Sequence, residues 1–148
     1  KGATGSYFQV AIAGTFTGDF TVEWWGGATT SSECTFYCVE AGSYLYNGNF
    51  EGYGGPALAL NTTTGGGWSH FAICRQGSTM RAYKDGVQVG TATYSGTVDM
   101  RTTRWGVYVP NGNLHNTHNI DDLRITAAVC RYINGTTFTP PQAAFPNY

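Results

Sequence analysis

Charge is what this chain has least of. Only 11% of its 148 residues are charged, eight basic and nine acidic, for a formal net charge of −1. About a quarter is usual in a soluble domain, so a free cytosolic enzyme of this composition would be unusual. The eight scattered cations form no basic stripe that could neutralise a phosphate backbone, which argues against nucleic acid as a partner. No apolar run approaches the roughly 20 residues that cross a bilayer as a helix, so membrane insertion is not expected. No signal peptide is visible, and the first residue is Lys1 rather than Met, which leaves secretion open.

What the chain has in quantity is glycine, at 21 residues, and aromatic side chains, at 15%. Gly-rich turns between short aromatic and β-branched runs point to an all-β domain. The length suits one domain with one core. "DFTVEWW" (19–25) alternates: Phe20, Val22 and Trp24 take one face, Thr21, Glu23 and Trp25 the other. "WSHFAICR" (68–75) reads as a strand apolar on both sides. "TMRAYKDGVQVGTATY" (79–94) reads as a hairpin around Asp85-Gly86, a turn pair that tolerates positive φ. "TRWGVYVP" (103–110) and "NIDDLRIT" (119–126) complete the set. "TFTPPQAAFP" (137–146) cannot be a central strand, because its prolines offer no N–H, and is expected to run as an extended strap. Only "ITAAVCRY" (125–132) could form a helical turn or two. About ten short strands predict two antiparallel sheets packed face to face.

Four cysteines, Cys34, Cys38, Cys74 and Cys130, allow three pairings that sequence does not separate. On a strand, Cys34 and Cys38 would stand roughly 13 Å apart, beyond the roughly 7 Å a disulfide spans. Buried, reduced thiols are expected. Cys74 and Cys130 lack the paired spacing of a zinc knuckle.

Three blocks follow one another in a recognisable order: "GDFTVEWW", "WSHFAICRQGSTMRAYKDGVQVG" and "IDDLRITAAVCRYINGTTFTPPQAAFP". Together they resemble the laminin-G-like jelly roll of the concanavalin A-like lectin and glucanase superfamily, across residues 19–146. The last block is similar to the version found in phage tail and other virion proteins. The resemblance implies one two-sheet β-sandwich over 1–148, with 137–148 as its C-terminal strap. It also implies a bacteriophage-type viral protein, at the virion surface or extracellular. Its role would be a non-catalytic, lectin-like module for host attachment. The partners implied are other virion proteins and a host-surface glycan or protein, with homo-oligomerisation open. The alternatives are a structural decoration or assembly protein without a sugar ligand, and a glycan-cleaving enzyme. Cys130 departs from the usual small residue, Cys74 ends the strand after "HFAI", and 26–67 aligns with nothing in the pattern.

The adjacent acids Asp121 and Asp122 test the enzymatic alternative. On a regular strand Asp121 would share a face with Leu123 and Ile125, and Asp122 with Ile120 and Arg124. Carboxyls that diverge in this way cannot bracket one glycosidic bond, for which retaining enzymes hold them about 5–5.5 Å apart. The E-x-D-x-x-E strand of the superfamily's glucanases is absent, and no catalytic residue is assigned. Asp121 is then expected to be buried on the apolar face, capping loop amides or meeting a cation. Asp85 reads as a turn residue and His70 as structural.

"NGNLHNTHNIDD" (111–122) offers imidazoles beside amide and carboxylate oxygens. His118 and Asp121 are the metal candidates. Oxygen-rich loops suit calcium, which the resemblance also favours, and paired imidazoles suit zinc or nickel; a solvated loop is the alternative. For a sugar or protein ligand the candidates are Tyr44, Tyr46, Asn47, Asn49 and Tyr53 in "SYLYNGNFEGYGG" (43–55), with Asn111, Asn113 and His115. Aromatic rings offer apolar area at low entropic cost, and loops at one end of a sandwich cluster in space. A core strand followed by a turn is the alternative for the first group. Two sequons, at Asn61 and Asn134, are inert in a protein made in bacteria.

Overall fold

The alternation in "DFTVEWW" becomes a strand buried on both faces, and the rest of the architecture follows from what covers each one. The computed structural model describes residues 8–11, 15–27, 34–38, 44–46, 49–51, 57–60, 64, 67–105, 119–133 and 137–143. These hold thirteen strands: β1 (Phe8–Ala11), β2 (Thr15–Phe16), β3 (Phe20–Gly27), β4 (Cys34–Cys38), β5 (Tyr44–Tyr46), β6 (Asn49–Glu51), β7 (Leu58–Ala59), β8 (Trp68–Gln76), β9 (Thr79–Lys84), β10 (Val87–Thr93), β11 (Val98–Asp99), β12 (Thr102–Trp105) and β13 (Asn119–Ala127). There is no helix among the described residues: β13 takes the first three residues of 125–132, the stretch that could form a helical turn, and the rest is irregular.

The strands form a six-stranded sheet, β1-β12-β4-β5-β6-β7, a five-stranded sheet, β10-β9-β8-β3-β13, and a two-stranded ribbon, β11-β2. All strand pairs run antiparallel. The core lies between the sheets. From the five-stranded side come Phe20, Val22, Trp24, Phe71, Ile73, Met80 and Ala82; Phe50, Leu58, Leu60 and Trp105 come from the other side. Trp24 stacks on Phe71 at 5.6 Å and meets Trp105 edge-on at 5.4 Å. Such aromatic pairs add to the apolar area they bury.

Two tight hairpins order the five-stranded sheet. Gly77 opens the β8–β9 turn at φ 57°, and Asp19 accepts its N–H at 2.8 Å. The β9–β10 turn is Asp85-Gly86, at φ 49° and 79°. Two successive left-handed residues make the turn type whose twist matches flanking strands. The Asp85 carboxylate accepts the His70 N–H at 2.9 Å, which ties the turn to β8.

Beyond β13 the chain returns across the outer face of this sheet. Cys130, Tyr132 and Phe138 pack on Ala72, Cys74 and Tyr83 as a second, smaller core. Phe138 stacks on Tyr132 at 3.7 Å and donates its N–H to the Gly86 carbonyl at 2.7 Å. A Cβ on Gly86 would stand 1.9 Å from the Phe138 oxygen, so close passage of the segment requires glycine here. Cys38, Cys74 and Cys130 are buried thiols outside any disulfide.

Candidate functional site

The outer face of the five-stranded sheet carries most of the described polar chemistry, and it divides into a sealed hub and an open cleft. The hub is Glu23, which is fully buried. A lone carboxylate there would be costly, so it must be paired and hydrogen-bonded. Arg124 reaches Oε1 through Nε at 2.8 Å and through a terminal nitrogen at 2.7 Å. Arg131 Nε stands 3.7 Å from the same oxygen. Oε2 accepts the Tyr132 hydroxyl, with His70 Nε2 3.3 Å away. Burial pushes the Glu23 carboxyl up, yet the bonds from His70, Tyr132 and Arg124 outweigh it and hold the group below its ordinary value. His70 is closed in by Trp25, Tyr132 and Phe138, each edge-on to its ring. The Glu23 carboxylate and the His70 ring are fully buried, while Arg124 and Arg131 close over them with part of each guanidinium side chain in solvent, so the hub fastens the C-terminal stretch to β3.

The cleft lies at the end of the sheet where β3 and β8 pair as Trp25↔His70 and Gly27↔Trp68. Trp25, Trp68 and Asp121 point outward there, by strand alternation. The Trp68 indole lies over Gly27: a Cβ on that glycine would meet the ring at 3.1 Å. Trp68 is 53% exposed, the most exposed large apolar side chain described. Asp121, Asp122, Pro141, Gln142 and Ala143 line a cavity of about 310 Å³ together with the two tryptophans.

A β-bulge builds the acidic wall and corrects the regular-strand expectation. Asp121 faces Trp25 and Arg124 faces Glu23, so Asp122 and Leu123 together oppose Trp24 alone. Asp122 takes up the extra residue in the left-handed region, at φ 48°, a conformation Asp tolerates better than most residues. The phase of the strand then changes. Ile120, Leu123 and Ile125 all reach the core, while Asp121 and Arg124 share the outer face. Asp121 is therefore exposed, not buried on the apolar face, and its Oδ1 accepts the Asp122 N–H at 2.9 Å. The bulge keeps the two acids from taking the strict opposite faces of a regular strand, and both residues line one cleft.

The other residues singled out in the sequence are placed elsewhere. Tyr44 and Tyr46 lie in β5 and Asn49 in β6, with Tyr46 paired to Asn49 in the six-stranded sheet. Asn47, Tyr53, Asn111, Asn113, His115 and His118 fall outside the described residues. Among the described residues no three His, Cys, Asp or Glu side chains gather into a metal site. Trp25, Trp68, Asp122 and Gln142 were not singled out as binding residues. The available signal was "EWWGG", two consecutive indoles followed by glycines in an otherwise alternating strand.

Two antiparallel sheets in this order, closed over one aromatic core, make a jelly-roll sandwich of the concanavalin A-like class. Among solved structures it is similar to domains LG4-5 of the mouse laminin α1 chain, with a TM-score of 0.61 and 14% identity, covering 95% of this chain and 42% of that one. It is also similar to the native heptameric SAP-like pentraxin from Limulus polyphemus, with a TM-score of 0.53 and 12% identity, covering 85% of this chain and 72% of that one. At such identities the likeness is one of fold, and this chain spans less than half of the laminin chain. No protein family matches the sequence, and no curated protein matches it either.

Proposed function

We propose that this chain is a non-catalytic binding module that holds a host-surface carbohydrate in the cleft between Trp25 and Trp68, on the surface of a virion. The observation that carries the proposal is the exposed Trp68 indole, laid over a glycine in a cleft that Asp121, Asp122 and Gln142 also line. A flat ring that contributes nothing to either core is a platform for the C–H face of a sugar, and the polar walls suit its hydroxyls. The cavity is large enough for a small oligosaccharide. Support for the virion setting is the similarity of residues 120–146 to the closing block of phage tail proteins. Calcium held by His118 and Asp121 is a competing use of the same acidic wall: a rise in melting temperature on adding calcium would support it, and no shift would remove it.

Trp68→Ala tests the site. Losing an aromatic anchor at the centre of a contact costs about 2 kcal/mol, or roughly 30-fold in affinity. The variant should lose glycan-array binding while melting like the parent, since Trp68 is half exposed. An unchanged array profile would refute the site. Cleavage of a bound glycan by the parent protein would refute the non-catalytic role.

A further inference from the structure

The acids of this molecule differ in what they are for. Of the six acidic side chains whose placement is described, four have structural partners. Asp19 accepts the Gly77 N–H, and Asp85 accepts the His70 N–H. Asp99 takes Arg101 through both oxygens, and Glu23 is saturated by the hub. Asp121 and Asp122 are the exceptions. Beyond the local bond from the Asp122 N–H to Asp121, neither meets a cation or an amide among the described residues. Both line the tryptophan cleft, and none of the seven described residues that line it is basic. Arg124, the nearest cation in register on β13, is held by Glu23 through two nitrogens.

Two carboxylates with no cation beside them among the described residues, next to two indoles, make a site for a cation as well as for a ring. An ammonium group near the face of a tryptophan gains from the ring's negative π surface. The carboxylates add attraction of the same sign, and charge-assisted hydrogen bonds with it. A neutral sugar would use the platform but leave both charges uncompensated. An anionic sugar would be repelled.

We propose that the Trp25–Trp68 cleft is selective for amino sugars carrying a free, protonated amine, with the pyranose ring on Trp68 and the ammonium between Asp121 and Asp122. The proposal rests on the carbohydrate role given above and adds the ligand's charge. The flat indole over Gly27 favours a pyranose ring over a lysine side chain, which has no flat apolar face to lay on it.

The test is isothermal titration with three tetrasaccharides: the fully deacetylated glucosamine tetramer, its N-acetylated counterpart and cellotetraose. The deacetylated tetramer is expected to bind at least tenfold more tightly than the other two, and the advantage should shrink as salt is added. Asp121→Asn with Asp122→Asn keeps the local hydrogen bond and a residue that tolerates the left-handed backbone. This double variant should melt like the parent and lose the tenfold advantage, leaving the weaker neutral binding in place. Trp68→Ala should lose all three ligands. Equal or tighter binding of the acetylated or neutral tetramer would overturn the charge selectivity and leave the carbohydrate site standing. So would an undiminished advantage in the double variant. Tetralysine binding more tightly than the amino sugar, in a Trp68-dependent way, would overturn the choice of ligand. If no tetrasaccharide binds at all, the carbohydrate site itself falls with it.

Discussion

Ala128 follows β13 at φ 60°, where an L-residue with a Cβ pays a steric penalty of about 1–2 kcal/mol. Nothing about alanine suits that position, and glycine would relieve it at some cost in unfolded-chain entropy. Ala128→Gly should stabilise the protein by about 1 kcal/mol, raising the melting temperature by roughly 2–4 °C in a calorimetric scan. Glu23 presents the opposite case, a residue that is costly alone and held by its partners. Glu23→Gln should lose about 3 kcal/mol in urea denaturation, because Arg124 and Tyr132 are left without their acceptor. The pH dependence has a definite sign. Folding depresses the Glu23 carboxyl below its ordinary value of 4.5, so its contribution is complete above that pH and is lost as pH falls through the lower folded value. Stability of the parent should fall more steeply below about pH 4.5 than that of Glu23→Gln, measured by circular dichroism. A parallel pair of curves would mean that the hub contributes nothing through its charge.

At the scale of elements, much of the five-stranded sheet was legible. Period-two alternation marked both faces of β3, and Asp85-Gly86 marked the β9–β10 turn with its two left-handed residues. The bulge was missed, because a uniform alternation was carried through "IDDLRI". The clue lay in the apolar residues: Ile120 is out of phase with Leu123 and Ile125, and only an extra residue between them lets all three reach one core. The cleft was missed for a different reason. Trp25 and Trp68 become neighbours through the β3–β8 register, and a register between distant segments is set by the packing of whole strands. Gly86 shows how such a meeting is paid in sequence, since its missing side chain admits the carbonyl of Phe138. Gly86→Ala should destabilise the fold by about 1–3 kcal/mol and speed proteolytic cutting within 137–143. An unchanged cleavage rate would mean that this contact does not hold the segment down.

For the whole molecule, stability comes from two cores on the two faces of one sheet, without covalent staples at the described thiols. A reducing agent should therefore leave the melting temperature unchanged, and alkylation after unfolding without reductant should label Cys38, Cys74 and Cys130. Failure of Cys74 and Cys130 to react would mean that they are oxidised. The two-sheet all-β architecture could be read from turn spacing and strand composition because those signals are local. The outer core and the hub join residues far apart in the chain, and no local pattern announces them.

The distance in sequence between Glu23 and Tyr132 has a consequence for how the protein is made. A chain growing from its N-terminus exposes Glu23 early and supplies Arg124, Arg131 and Tyr132 only near the end. Until then β3 holds an acid on a surface that lacks Arg124, Arg131 and the Tyr132 lid. A nascent chain on the ribosome therefore has to wait for its last quarter before that face can dry, and a truncated product would keep it wet.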